Sequence, residues 1–403
     1  MINNNLFVGI DVSKNKHDVS VLSCDKKKVI KSFVIQDNFK GYNELLSKLD
    51  WLDEKYQPQG ILIGMEATGD YWKNLYHFLL NQKNGYQISV INPFQTRAFA
   101  KGELRRAKTD PVDAKDIAQF MIEKSPLPTP KISPTLDCIK DLDRQIYAIN
   151  KQKTMTINRL RGELLKNAPE IEKAFRNLGG RQILALLARY PTAQAINKAS
   201  LTELGEVRFG VRNFRIPNRL VKKVKGLCQN SIAYKIGPGS GLVVQSLVRR
   251  ILQLLEEKEL LEKQIADIYN DVKEHQSVLI SIKGISMNTA IALEAYIGDV
   301  TRFSNVKKIV AYFGMNPTVC KSGKTLNRSS RLQKKGCAIV RQKLFQAVLC
   351  IISKKQGPFY KYYQRLVDSG KPKMVAIGAT MRKLLGVAYA MLKKQQKFDP
   401  EKC

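Results

Sequence analysis

Histidine is scarce in this chain: His17, His77 and His275 are the only three among 403 residues. So few, so far apart, argue against a histidine-based metal centre or acid–base pair, and each is read as structural or exposed. Cysteine offers no alternative. Cys24, Cys138, Cys228, Cys320, Cys337, Cys350 and Cys403 are scattered without the short paired spacings of a zinc site, and an odd, dispersed set is expected to stay reduced. Met1-Ile2-Asn3-Asn4-Asn5 has no charged stretch leading into a long apolar one. No apolar run approaches the roughly 20 residues of a membrane span, so a cytoplasmic protein without a membrane anchor is expected. Acidic residues are the last scarcity: 35 Asp+Glu stand against 68 Lys+Arg, and residues 301–403 hold 3 acidic and 23 basic residues. A net charge of +33 so concentrated favours a polyanion, because each neutralised phosphate releases condensed counterions. Lys354-Lys355-Gln356-Gly357-Pro358-Phe359-Tyr360-Lys361-Tyr362-Tyr363 interleaves cations with aromatics, a composition suited to phosphate contact and base stacking together.

Against this basic background four acidic residues stand out. Asp11 closes the apolar run Leu6-Phe7-Val8-Gly9-Ile10, and the alternation from His17 to Leu22 reads as its hairpin partner. Glu66 closes Ile61-Leu62-Ile63-Gly64-Met65, short enough to be a strand buried on both faces. Adjacent parallel strands bring the residues at their C-terminal ends together, where open α/β sheets bind ligands. In Lys108-Thr109-Asp110-Pro111-Val112-Asp113-Ala114, Thr109 or Asp110 is placed to cap a helix with Pro111 just inside, and the spacing of three points both carboxylates one way. Cleavage at a phosphodiester needs the attacking and leaving oxygens both stabilised, which two divalent ions roughly 3.5–4 Å apart achieve. Mg2+ takes hard oxygen ligands and keeps several waters, so a few carboxylates from separate elements suffice. The competing reading makes these residues turns and a solvated helix start. It suits any one of them better than all four together. Asp116 is a minor further candidate, three residues beyond Asp113.

The length suggests two or three domains. Residues 1–125 alternate strand signals near 6–12, 17–23, 29–35, 60–66 and 87–92 with helical signals near 39–50, 70–82 and 110–123, an α/β order. Ser125-Pro126-Leu127-Pro128-Thr129-Pro130 then reads as a stiff linker at a domain boundary. Apolar spacing predicts two long helices, about 134–167 and 242–275, the second with a four-three repeat broken only by Lys258. Its partner is the earlier helix in an antiparallel hairpin, the same helix of another subunit, or both. Between them, 170–238 reads as a basic helical insert ending in the turn Gly237-Pro238-Gly239-Ser240-Gly241. Residues 276–403 open with a turn at Gly284 and Ser286 suited to a phosphate or a plain helix cap, and close with helices near 337–353 and 372–394.

The motifs Gly9-Ile10-Asp11-Val12-Ser13-Lys14, Met65-Glu66-Ala67-Thr68-Gly69, Lys108 to Ala114, Ile297-Gly298-Asp299-Val300-Thr301-Arg302-Phe303 and Tyr312-Phe313-Gly314-Met315-Asn316-Pro317 followed by Ser322-Gly323 resemble, in this order, those of the insertion sequence 110 family of transposases. The resemblance covers nearly the whole chain. It implies an N-terminal RuvC-like domain of RNase H fold with a mixed sheet, a coiled coil, and a mainly helical C-terminal domain bearing a nucleophilic serine. Carried over, the metal ligands are Asp11, Glu66, Asp110 and Asp113, with Mg2+ as cofactor, two ions expected and Mn2+ as substitute, and the nucleophile is Ser322. Ser322-Gly323 is expected in a loop, and Lys321, Lys324, Arg328, Arg331, Lys334 and Lys335 surround that serine with groups suited to a scissile phosphate. The Leu332-Gln333-Lys334-Lys335-Gly336 stretch departs from the family in lacking a second serine, which Ser329 or Ser330 replaces only by a shift of register.

The partners so implied are double-stranded DNA at the element ends and target, a non-coding bridge RNA, and further copies of the chain as a dimer or tetramer. Three rivals accompany the transposase reading, one of them a non-catalytic nucleic-acid-binding protein should the carboxylates not converge. A site-specific DNA invertase of the same superfamily would use the same residues. An actin-like ATPase or sugar kinase also suits Gly9-Ile10-Asp11-Val12-Ser13, although the basic C-terminal region opposes it.

Overall fold

The computed structural model describes the chain from residue 4 to residue 402, leaving out 83–85, 103–109, 132, 211, 235–236, 238, 273–276, 323–325 and 333–335. The side chains of 101–102, 110–112, 272, 318–322, 326–331 and 402 also lie outside the description. Two compact units result, Met1–Lys131 and Ile132–Cys403.

In the first unit the strands are β1 (Leu6–Val12), β2 (Lys16–Ser23), β3 (Phe33–Gln36), β4 (Ile61–Glu66) and β5 (Gln87–Ile91), and the helices α1 (Phe39–Tyr56), α2 (Trp72–Leu80), α3 (Pro93–Gly102) and α4 (Asp110–Lys124). They form a mixed α/β sheet in the order β3-β2-β1-β4-β5. β2 is antiparallel to β1 and β3, while β1, β4 and β5 run parallel. β3 is shorter than its sequence signal because Lys26 to Lys31 are taken up in a turn, leaving only a bridge between Leu22 and Lys28. Asn38 caps α1 by accepting a hydrogen bond from the Gly41 amide at 2.9 Å. The proline-rich segment is pinned along β5: the Thr129 amide donates to Ile88 O at 2.7 Å, and the Ser89 and Tyr76 hydroxyls donate to the carbonyls of Pro126 and Pro130. Proline has no amide to give but can still accept through its carbonyl, and these hydroxyls use that acceptor.

The second unit is built on α5 (Pro134–Asn167). After it come α6 (Pro169–Ala174), α7 (Arg181–Arg189), α8 (Ala193–Lys198), α9 (Leu201–Gly205), the hairpin β6 (Arg208–Phe209) and β7 (Phe214–Arg215), and α10 (Asn218–Cys228). The long α11 (Leu242–Val272) packs antiparallel on α5: Ile139 and Ile146 cluster with Ile265 and Tyr269, and Leu160 and Leu164 with Leu247 and Ile251. The break at Lys258 is a polar layer in which Lys258 pairs with Glu262 at 2.8 Å, and burial with the nearby Lys258 charge lowers the pKa of Lys153. The insert is helical as expected except for β6 and β7, where Gly210 and Asn213 at positive φ turn the chain into a hairpin.

The C-terminal part contains α12 (Met287–Ile297), α13 (Val306–Tyr312), the hairpin β8 (Pro317–Ser322) and β9 (Leu326–Leu332), α14 (Ala338–Ser353), α15 (Pro358–Asp368) and α16 (Lys373–Lys394). Ser286 is a plain cap, accepting from the Thr289 amide, and an added Cβ at Gly284 would meet Ile351 at 2.5 Å, so the Gly284 turn serves close packing. Among the described residues α16 is the one helix long and apolar enough, by length and composition, to cross a membrane. Arg382 and Lys383 interrupt its apolar run in sequence, and its buried face, including Leu384, Leu385 and Ala388, lies in the core with α12 to α15.

Candidate active site

Two glycines position the first-unit site. Gly9 of β1 and Gly64 of β4 are cross-strand neighbours. An added Cβ at Gly9 would lie 2.1 Å from the Ala114 carbonyl oxygen, and one at Gly64 would lie 2.6 Å from Met121 Cγ. Helix α4 therefore rests directly on the paired glycines, an approach that any side chain would prevent. Side chains alternate along a strand, so Asp11, two beyond Gly9, and Glu66, two beyond Gly64, share this α4-covered face. Ile10 pairs with Met65, which sets Asp11 and Glu66 side by side at the C-terminal ends of neighbouring parallel strands.

The direction of α4 completes the arrangement. Its C-terminal half meets the beginning of the strands, where Phe120 and Met121 cluster with Phe7 and Leu62, and Glu123 pairs with Lys26 at 2.6 Å. Its N-terminal turn, with Asp110 first and Asp113 three residues on, accordingly lies at the end of the sheet that carries Asp11 and Glu66. The positive end of the helix dipole favours carboxylates there. Asp113 is half-buried and Asp116 buried, whereas the Asp110 side chain and the whole of Thr109 lie outside the described residues. Among the described residues no group of three His, Cys, Asp or Glu is close enough together to hold a metal ion.

Three neighbours of the carboxylates were not anticipated from sequence. The buried Thr96 hydroxyl donates to Glu66 Oε2 at 2.6 Å, and the Thr68 hydroxyl to Oε1 at 3.1 Å. A carboxylate offers about four lone-pair sites, so two hydroxyl donors orient Glu66 and leave it able to hold a cation. Thr68 was within reach of sequence reasoning, two residues after Glu66, but Thr96 arrives on the unpredicted α3. The third neighbour is Asp18, buried and directly across β2 from Asp11. Like charges so placed repel, and Lys16 Nζ offsets this from 3.7 Å. His17 is a core residue, wholly buried with Nε2 at 3.2 Å from Asp37 Oδ1.

In the second unit Ser322 ends strand β8 instead of lying in the loop expected of a Ser-Gly pair. The hairpin register sets Ser322 opposite Leu326, Lys321 opposite Asn327, and Cys320 opposite Arg328. Arg331 lies on β9. The side chains of Lys321, Ser322, Arg328, Ser329, Ser330 and Arg331 are outside the described residues, as are Gly323, Lys324, Lys334 and Lys335 entirely. Below the hairpin, Arg341 donates to the carbonyls of Phe313 at 3.0 Å and Gly336 at 2.9 Å, tying its two ends together.

Comparison with known proteins matches both units. The transposase model for the IS110 DEDD domain covers residues 8–169, and that of the transposase IS116/IS110/IS902 family covers residues 276–364. The pilin gene-inverting protein of Moraxella bovis is 24% identical over 398 residues, spanning 98% of this chain and 97% of that protein. The insertion element IS110 43.6 kDa protein of Streptomyces coelicolor is 25% identical over 397 residues, spanning 96% of this chain and 94% of its own length. These matches displace the actin-like ATPase reading. The chain belongs to the IS110 family of transposases, DNA recombinases to which the pilin gene-inverting proteins are related.

Proposed function

We propose that this chain excises and inserts its own mobile element by cutting and rejoining DNA through a covalent serine intermediate. The observation that supports the carboxylate half is the adjacency of Asp11 and Glu66 at the ends of parallel strands, at the same end of the sheet as the first turn of α4. Asp11, Glu66, Asp110 and Asp113 would hold Mg2+, with Mn2+ as a substitute; the bound ions supply charge stabilisation of the attacking and leaving oxygens. Thr68 and Thr96 fix the Glu66 carboxylate, and Lys16 keeps Asp18 from repelling Asp11.

In this reading Ser322 Oγ gives its proton to a base, forms a bond to the scissile phosphorus, and one phosphorus–oxygen bond to deoxyribose breaks. The released oxygen takes up a proton as a free hydroxyl. Attack of a second strand's hydroxyl on the phosphoserine reverses the step and frees the serine, so phosphodiester energy is conserved without ATP. Lys321, Lys324, Arg328, Arg331, Lys334 and Lys335 hold the phosphate and its developing charge. A bridge RNA selects the DNA sites, and a dimer or tetramer cuts the several strands together in the cytoplasm. The invertase reading is favoured by the full-length match to the Moraxella protein and uses the same chemistry.

The test is recombination between donor and target plasmids carrying the native element flanks, comparing wild type with Ser322→Ala and Asp11→Ala. Junctions formed by wild type and lost in both variants support the composite site. Junctions persisting in Ser322→Ala overturn the phosphoserine step, and inversion without excision from flanked plasmids favours the invertase.

A further inference from the structure

The insert between the two long helices lies outside both matched regions, and its surface has a character of its own. Residues 207–230 contain seven Lys+Arg and no Asp or Glu. In the hairpin, Arg208 stands opposite Arg215 and Phe209 opposite Phe214. Glu206 bridges the two arginines, 3.3 Å from each, and so relieves their repulsion. Phe214 is 54% exposed. Its neighbour Phe209, with ring centroids 6.0 Å apart, lines a cleft of about 410 Å3 together with Phe175, Asn177, Arg181, Gln182 and Leu220.

The electrostatics of this cleft match its shape. Lys223 places its ammonium 4.7 Å from the centre of the Phe175 ring. Arg219 and Lys222 are exposed on α10 beside the lining Leu220, and Arg212 is exposed in the hairpin turn. Aromatic walls with amide groups suit a nucleobase, which has flat apolar faces and polar edges, while the Arg181 guanidinium beside them is held by Glu259 at 2.5 Å. Cations on the adjoining surface suit the phosphates on either side of that base. A paired duplex keeps its bases stacked inside and must flip one out at a cost, whereas an unpaired strand presents one to such a cleft directly.

We infer that the insert binds an unpaired strand of the DNA substrate, seating one base between Phe175 and Phe209, stacking another on Phe214, and holding phosphates with Arg212, Arg219 and Lys222. The choice of DNA rests on the family assignment, since strand exchange unpairs DNA; it does not depend on the carboxylates or on Ser322.

The test is equilibrium binding by the full chain of one short sequence offered as single-stranded DNA, duplex DNA and RNA. The variants are Phe214→Ala, which removes the half-exposed ring beside Phe209, and the double variant Arg212→Glu with Arg219→Glu. Single-stranded DNA should bind more tightly than RNA. Phe214→Ala should weaken it about 5- to 100-fold, the range for losing one base–aromatic stack, with duplex binding changed less than about 2-fold. The double variant should also lower the salt dependence, as expected when phosphate contacts are removed. Unchanged single-strand affinity in both variants, or equal losses for single strand and duplex, overturns the inference. Tighter binding of the RNA that depends on Phe214 reassigns the surface to RNA and likewise overturns it.

Discussion

The two units divide the charge unequally. Met1–Lys131 contains 19 Lys+Arg and 15 Asp+Glu, whereas Ile132–Cys403 contains 49 and 20. The near-neutral unit is the one with the parallel strand ends and the carboxylates; the strongly basic one is helical and carries the serine hairpin and the insert. Carboxylates repel phosphate, so an enzyme that brings the two together needs binding energy from elsewhere. Counterion release along a basic surface supplies it. The small first unit devotes its packing to placing a few groups, and the larger second unit carries most of the positive charge.

That comparison is most strongly tested at Glu66. Glu66→Gln preserves volume but removes the charge and leaves one oxygen to accept from the two threonines, so recombination should fall by at least about 10²-fold, while DNA affinity stays near wild type. A parallel loss of DNA binding would show that the first unit also retains substrate.

The next effect concerns stability in the second unit. Lys343 Nζ lies 2.7 Å from Asp143 Oδ1, linking α14 to α5, and Asp143 is almost wholly buried, its Oδ2 lacking a hydrogen-bond partner among the described residues. Lys343→Met should cost about 3–5 kcal/mol in chemical denaturation, because it strands a buried charge, and Asp143→Asn added to it should recover part of the loss.

A glycine pair sharpens the contrast further. Gly9→Ala forces a methyl into the Ala114 carbonyl and should destabilise by about 1–3 kcal/mol or more. Gly162 of α5 has nothing within 4 Å of an added Cβ, and Gly162→Ala should stabilise by up to about 1 kcal/mol. Thermal unfolding of the two variants reads both.

The smallest effect is on pH dependence. Burial holds the His17 pKa below its usual 6.5, against the opposing pull of Asp37. The unfolded chain then takes up a proton that the folded chain does not, so stability falls as pH drops through about 6.5 and levels off below the folded pKa. His17→Gln should flatten that decline, which chemical denaturation at a series of pH values from about 7 downward would read. An unchanged pH profile would place the acid sensitivity on other groups.

Much of the first unit was legible because its signals are local. Apolar runs of strand length, the alternation after His17 and the proline just inside α4 each specify an element without reference to distant residues. Sequence also marked Asp11, Glu66, Asp110 and Asp113 as the strand-end and helix-start acids, and revealed the two long helices through their spacing. Composition alone determined the basic character of the chain and the concentration of charge at its C-terminal end.

Only the tertiary structure decided the rest. Thr96 reaches Glu66 because α3 follows β5, and Asp18 faces Asp11 because of hairpin register. Gly9 and Gly64 matter because α4 settles on both at once, a close approach that no local propensity encodes. The choice of α5 as partner for α11 required the whole second unit to bury both apolar faces. The hairpin at Phe209 and Phe214, with its cleft, depends on α7 and α10 for its walls. Apart from the Asp11 and Asp18 hairpin pair, the deciding contact joins residues far apart in the chain, whose meeting depends on packing geometry rather than on sequence spacing.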